Sequence, residues 1–187
     1  MDKKKYCIPL IGAHQAINAG LAIRAVMYHF PEMKQTQIQS GLSNTKWLGR
    51  FQPLTKDLPI YYDVAHNPGG IHTIRSTLDT LNSKVTNGLM VLKNDKDVDQ
   101  IALALDGLFN KLFVASIPES ELMDEQSLFN ALKAQNINCN IMDSIEKGYT
   151  YLYDRALKGE NGIIFGSHYV AESIFNYFEI NFDNGSI

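Results

Sequence analysis

Cysteine is scarce in this chain of 187 residues: Cys7 and Cys139 are the only two, and they do not share a C-x-x-C spacing. That excludes a disulfide framework and a cysteine zinc site, and a reducing, cytoplasmic setting is the natural expectation. No stretch reads G-x-x-x-x-G-K-[ST], so the backbone cradle that such a loop builds around phosphates is missing from these residues. Charge of one sign is lacking too. A net charge of −3 creates no field for a nucleic acid, and Lys3-Lys4-Lys5 reads as a solvated terminus. The apolar stretch from Ala16 to Phe30 is broken by Asn18, Arg24 and His29, so no membrane partner is expected, and no signal peptide, repeat or low-complexity tract is visible. No acidic cluster has the pattern of a metal site. Asp95 and Asp97 flank Lys96, as in a surface loop.

What is present is an apolar content of 45%, ordinary for a chain with a packed core and sufficient for one large domain or a domain plus a fragment. Tyr6 to Ile11 reads as a strand ended by Gly12. His14 to His29 follows as a helix that is small or apolar on most sides and is expected to be largely buried, and Pro31 ends it. Met33 to Leu42 reads as a second helix. A boundary falls near residues 42–47, giving segments 1–46 and 47–187. Beyond Phe51 short strands alternate with amphipathic helices: strands at Ile60–Asp63, Leu89–Leu92, Leu112–Ser116, Asn138–Met142 and Gly162–Phe165. That order predicts an α/β fold, a Rossmann-like, mostly parallel sheet with helices on both faces and right-handed crossovers. One strand and one helix ahead of it cannot form a core of their own. Asn181 to Ile187 reads as a frayed tail.

Within that pattern the stretch Asp63-Val64-Ala65-His66-Asn67-Pro68-Gly69-Gly70 joins a strand to a helix. Ligands of open α/β sheets bind at such carboxyl ends of strands. Asn67 suits an N-cap and Pro68 the first helical position, so an ordinary capped turn explains the same letters. Four other places gather polar groups near element ends: His14, Gln15 and Asn18; Trp47 and Arg50; Asp95-Lys96-Asp97; and Gly166-Ser167-His168. Each has a plain alternative. His14, Gln15, Asp97 and Ser167 could be caps, and Trp47 a core anchor.

Taken in order, Gly12-x-His14-Gln15-x-x-Asn18-Ala19, Trp47-x-Gly49-Arg50, Asp63-x-Ala65-His66-Asn67-Pro68, Asp95-Lys96-Asp97 and Gly166-Ser167-x-Tyr169-x-x-Ala171-Glu172 resemble the C-terminal part of the folylpolyglutamate and dihydrofolate synthases of the Mur ligase superfamily. The resemblance implies that segment 1–46 is a strand-helix remnant of the central ATPase domain and that 47–187 is the C-terminal glutamate-ligase domain. It also implies an ATP-dependent amide ligase, in which glutamate attacks an acyl phosphate made on a folate or pteroate carboxylate. ATP and Mg²⁺ would be held mainly by an N-terminal domain, and the enzyme would be a monomer. Asn18 would contact the adenine and Arg50 the nucleotide. Asp63 would take the ribose hydroxyls or otherwise fix the nucleotide. His66 and Ser167 would face the reaction centre as catalytic residues.

The physical chemistry agrees with those roles. Arginine offers a permanent charge and a planar fork of donors for phosphate oxygens. A histidine can take a proton from an amine. Two departures stand out. Without the phosphate loop the chain is expected to be inactive alone and to bind ATP weakly or not at all. The family often carries Pro followed by Arg after the third strand, whereas Ile117-Pro118-Glu119-Ser120-Glu121 has no Arg to meet a glutamate carboxylate. Two other readings remain: a stand-alone Rossmann-like binding or interaction module, and a small hydrolase built on Ser167 with His66 or His168, which lacks the second glycine of G-x-S-x-G.

Overall fold

The computed structural model describes residues 5–81, 85–118 and 120–181. Two helices come first, α1 at Ala13–His29 and α2 at Gln35–Ser43. A short strand β1 (Gln52–Pro53) and β2 (Ile60–Asp63) follow, then α3 (Pro68–Leu78), β3 (Thr86–Met90), α4 (Val98–Leu105), β4 (Lys111–Val114), α5 (Glu125–Ala134), β5 (Asn140–Ile141), α6 (Ile145–Ala156), β6 (Asn161–Phe165) and α7 (Ala171–Tyr177). The six strands lie in the order β1-β2-β6-β3-β4-β5. All neighbours are parallel except the β1–β2 pair.

The parallel sheet follows from the sequence. β3 and β6 are buried at every position, as strands covered on both faces must be. Alternate residues serve opposite layers. Ile163 and Phe165 of β6 join Ile71, Ile74, Ile101, Leu105, Leu128 and Leu132 under α3, α4 and α5. Ile164 joins Tyr149, Leu152, Ile174 and Phe175 under α6 and α7. Helices therefore cover both faces. Two caps are the ones the sequence suggests: Asn67 and Asp97 each accept a backbone N–H of the first turn of the following helix, and Ser144 does the same ahead of α6. At the amino ends of β3 and β6, buried Asn87 donates to Glu160 Oε2 at 2.8 Å, and Glu160 is paired with Arg155.

Several expectations are corrected. Residues 6–11 form no strand; Cys7 instead exchanges hydrogen bonds with the Gln39 side chain, its N–H donating at 3.0 Å and its carbonyl accepting at 2.9 Å. A strand needs a sheet edge beside it, and β1 and β5 form the two edges of the sheet present. Helix α1 is not buried: Ile17, Leu21 and Tyr28 are 67, 63 and 83% exposed, and Gln15 is its one buried residue. Trp47, 54% exposed, is no core anchor. β1 was not foreseen, because two residues carry no periodicity. β3 begins at Thr86 rather than Leu89, since Thr86 and Asn87 pair with Asn161 and Gly162. The expected tail lies, beyond Asn181, outside the described residues. No helix among the described residues is long and apolar enough to cross a membrane.

Candidate functional site

Asp63 stands opposite Phe165, and Phe165 opposite Met90, so β2, β6 and β3 end level with one another. The loops that leave these three strands carry His66, Ser167 and Lys93-to-Asp97. The lip foreseen at the carboxyl ends is thus built by register alone.

Asp63 is 5% exposed. Its Oδ1 accepts from Ala65 N and its Oδ2 from Phe51 N, both at 2.8 Å. Burial pushes its pKa up, opposed by those two N–H groups and by the nearby charges of Arg50 and His14. The carboxylate therefore clamps the boundary turn at Arg50-Phe51 onto the end of β2. Phe51 needs the clamp: its φ is 44°, a left-handed conformation uncommon for an aromatic residue. Its ring is fixed against Tyr61 at 4.6 Å. Asp63 holds Arg50 in place by way of the backbone, a role that single letters do not reveal.

His66 Nδ1 lies 2.8 Å from the Val64 carbonyl. A carbonyl only accepts, so Nδ1 carries the proton and Nε2 is the acceptor of the neutral ring. Ser167 is 3% exposed. Its Oγ accepts from Tyr169 N at 3.1 Å, and its carbonyl accepts from Tyr62 OH at 2.8 Å. Ser167 is not the cap of α7, whose N-cap is Val170; it closes a local turn. Among the described residues no histidine is hydrogen-bonded to its Oγ, so the hydrolase pairing lacks its geometry.

The cluster of Lys93, Glu121 and Tyr169 escaped the sequence, and so did the burial of Gln52. Lys93 Nζ sits 2.7 Å from Glu121 and 5.5 Å from the Tyr169 ring centre, while Tyr169 OH donates to Glu121 at 3.0 Å. This ties the loop without an arginine to the loop after β6; Glu119 lies outside the described residues. Gln15 and Gln52 are both buried. Gln15 Oε1 accepts from Asn18 Nδ2 at 3.2 Å and so orients it. Asn18 faces a cavity of about 130 Å³ walled by Ile8, Leu10, Ala19, Ala22, Leu42 and Trp47. A mostly apolar slot with the amides of Gln15 and Asn18 in its wall suits a heteroaromatic ring. Arg50 lies on the other side of the tryptophan, its guanidinium carbon 5.3 Å from the ring centre. Asn18 and Arg50 thus flank Trp47, Asp63 adjoins Arg50, and His66 and Ser167 occupy neighbouring strand ends. Among the described residues no group of three or more His, Cys, Asp or Glu side chains could hold a metal ion.

No family model matches the chain. It is 30% identical over 127 residues to the dihydrofolate synthase/folylpolyglutamate synthase of Mycobacterium tuberculosis, covering 65% of this chain and 26% of that protein. It is 24% identical over 174 residues to the folylpolyglutamate synthase of Lacticaseibacillus casei, covering 89% and 39%. Among solved structures, Mycobacterium tuberculosis folylpolyglutamate synthase complexed with ADP and AMPPCP superposes with a TM-score of 0.82 at 25% identity, over 93% of this chain and 42% of that one. The chain spans about two-fifths of the length of these structures, or less of the sequence relatives.

Proposed function

We propose that this chain belongs to the folylpolyglutamate/dihydrofolate synthase family, a reading its likeness to those enzymes supports, and that it is the nucleotide-closing and amino-acid-side part of an ATP-dependent amide ligase. Glutamate is added to a folate or dihydropteroate carboxylate through an acyl phosphate, in a monomeric, cytoplasmic enzyme. The observation that carries this reading is the clamp of Asp63 on the Arg50-Phe51 turn. It holds a guanidinium beside the slot that contains Asn18 and level with the strand ends that bear His66 and Ser167.

The residues fit a nucleotide as follows. Asn18, oriented by Gln15, reads the edge of a base seated in the apolar slot. Arg50 presents its fork to phosphate oxygens. Asp63 fixes the nucleotide through Arg50, since both its oxygens already hold backbone N–H groups. His66, with Nδ1 occupied by Val64, offers Nε2 to the attacking amine and accepts its proton. Ser167 shapes the lip beside it. When bound, ATP supplies the phosphoryl group that activates the carboxylate. Phosphoryl transfer depends on positioning and charge, which is what Arg50 provides. No step is assigned to a magnesium ion, because the described residues offer no donor set for one.

Segment 1–46 is read as the end of an ATPase domain and 47–187 as the ligase domain. The exposed apolar side of α1 supports this over a stand-alone module, because an isolated module gains nothing from exposing Ile17, Leu21 and Tyr28. The test is titration of the purified chain with ATP, followed by grafting it onto the P-loop part of a relative. Alone, the chain binds ATP weakly or not at all and forms no amide. In the graft, glutamate-dependent ADP release appears and is lost in Arg50→Gln and His66→Ala. Micromolar ATP affinity of the chain alone, about −8 kcal/mol, or an active graft indifferent to Arg50 refutes the proposal.

A further inference from the structure

We infer that Gln52 contacts ligand: its side-chain amide, next to Arg50, donates to an oxygen of a phosphate group that enters the small cavity between residues 9–11 and 46–53. This cavity, of about 120 Å³, lies across Leu10 and Trp47 from the slot of Asn18 and is lined by Ile11, Lys46, Arg50 and Gln52 among others, with no Asp or Glu. Gln52 is 9% exposed. Its Oε1 accepts from Gly49 N at 2.8 Å. That N–H can only donate, so the amide cannot be flipped and Nε2 is fixed as the donor left over, on a residue that lines the cavity. Nε2 is the one buried side-chain polar atom among the described residues that has no hydrogen-bond partner.

A buried donor left unmade is costly and rare in native proteins, so this one calls for an acceptor that arrives from outside. Arg50 and Gln52 flank Phe51, whose left-handed backbone is pinned by Asp63. Both donors are thus held before any ligand arrives, at no further cost in ordering. A phosphate has enough acceptor oxygens for a guanidinium fork and an amide together. The phosphate's being a nucleotide's rests on the function proposed above; the oxyanion site itself does not.

The ¹⁵N-labelled chain is titrated with pyrophosphate against sodium chloride of matched ionic strength, and separately with ADP. Pyrophosphate is expected to shift both Nε2 proton resonances of Gln52 saturably. Gln52→Glu keeps an oxygen for Gly49 N–H but replaces the donor by an anion, and is expected to weaken affinity about tenfold or more. Arg50→Gln, which leaves the Gln52–Gly49 bond intact, weakens it as well and decides the matter should Gln52→Glu fail to fold. A shift that merely follows sodium chloride, or undiminished affinity in either folded variant, overturns the inference. ADP that moves Asn18 but leaves Gln52 untouched overturns it while the nucleotide reading stands. Pyrophosphate that moves Gln52 in the chain, with no response of Asn18 to ADP in the graft onto the P-loop part, upholds the oxyanion site and removes the nucleotide reading.

Discussion

Alanine at Gly166 puts the whole lip to the test. Gly166 follows β6, donates its N–H to the Asp63 carbonyl at 3.3 Å and has φ of 111°. An added Cβ would run into the carbonyl oxygen of Val91 and lie 3.1 Å from its carbonyl carbon. Val91 cannot move aside cheaply, because its N–H donates to the Phe165 carbonyl at 3.0 Å and its side chain is fully buried. Gly159 is the control, with φ of 79° and nothing within 4 Å of its would-be Cβ. Alanine there meets only the backbone penalty of about 1–2 kcal/mol. At Gly166 the same penalty is joined by displacement of packed backbone, about 1–3 kcal/mol more. The sum, about 2–5 kcal/mol, is a large share of a typical folding free energy and lowers Tm by on the order of 10 °C in a chain of this length. Urea and thermal melts of both variants decide the point. Equal losses would refute the reasoning, because they would mean that β3 and the loop after β6 do not touch as described.

Glu160→Ala leaves the amide of Asn87 buried without its acceptor and costs about 1–3 kcal/mol in urea melts, whereas Glu146→Ala, on an exposed turn, stays within about 0.5 kcal/mol. Arg155 and then Asn87 hold the Glu160 carboxyl below its usual range. Its contribution is therefore complete above the unfolded value and lost as pH falls through the folded one, a slope on the acid side that Glu160→Gln removes. Burial lowers the pKa of His14, with Asp63 opposing and Arg50 reinforcing that shift. The stability it supports is present above its ordinary value of 6.5 and lost as pH falls below that. His14→Gln flattens this part of a pH series of melts. Ile17→Gln with Leu21→Gln leaves the Tm of the sheet domain within about 2 °C, as exposed positions should; a larger fall would show that these side chains are covered in solution.

How much of this was legible in the letters differs from element to element. The helices of segment 47–187 show themselves because every third or fourth residue is apolar. The caps Asn67 and Asp97 are readable because a short polar side chain ahead of an apolar run has little else to do. The carboxyl-end placement of His66 and Ser167 follows from alternating strands and helices. β1 was not legible: it is two residues long and exists only because β2 offers an edge. Nor was the exposure of α1, since an apolar helix states that it wants cover but not whether cover is present. Lys93, Glu121 and Tyr169 meet across three loops, and their closeness is invisible in a chain where they stand 28 and 48 positions apart.

By itself the sequence determined the fold class, the chain order of the five parallel strands with the helices between them and which residues stand at their ends, because periodicity, capping and turn chemistry act over a few neighbouring residues. Only the tertiary structure decided what those residues do there. Asp63 spends its oxygens on the backbone of a distant turn, Ser167 closes a loop rather than capping a helix, and Gln52 is buried with a donor to spare. Each of these depends on which groups come within about 3 Å of one another, and contacts between residues far apart in the chain are fixed by the packing of the sheet as a whole.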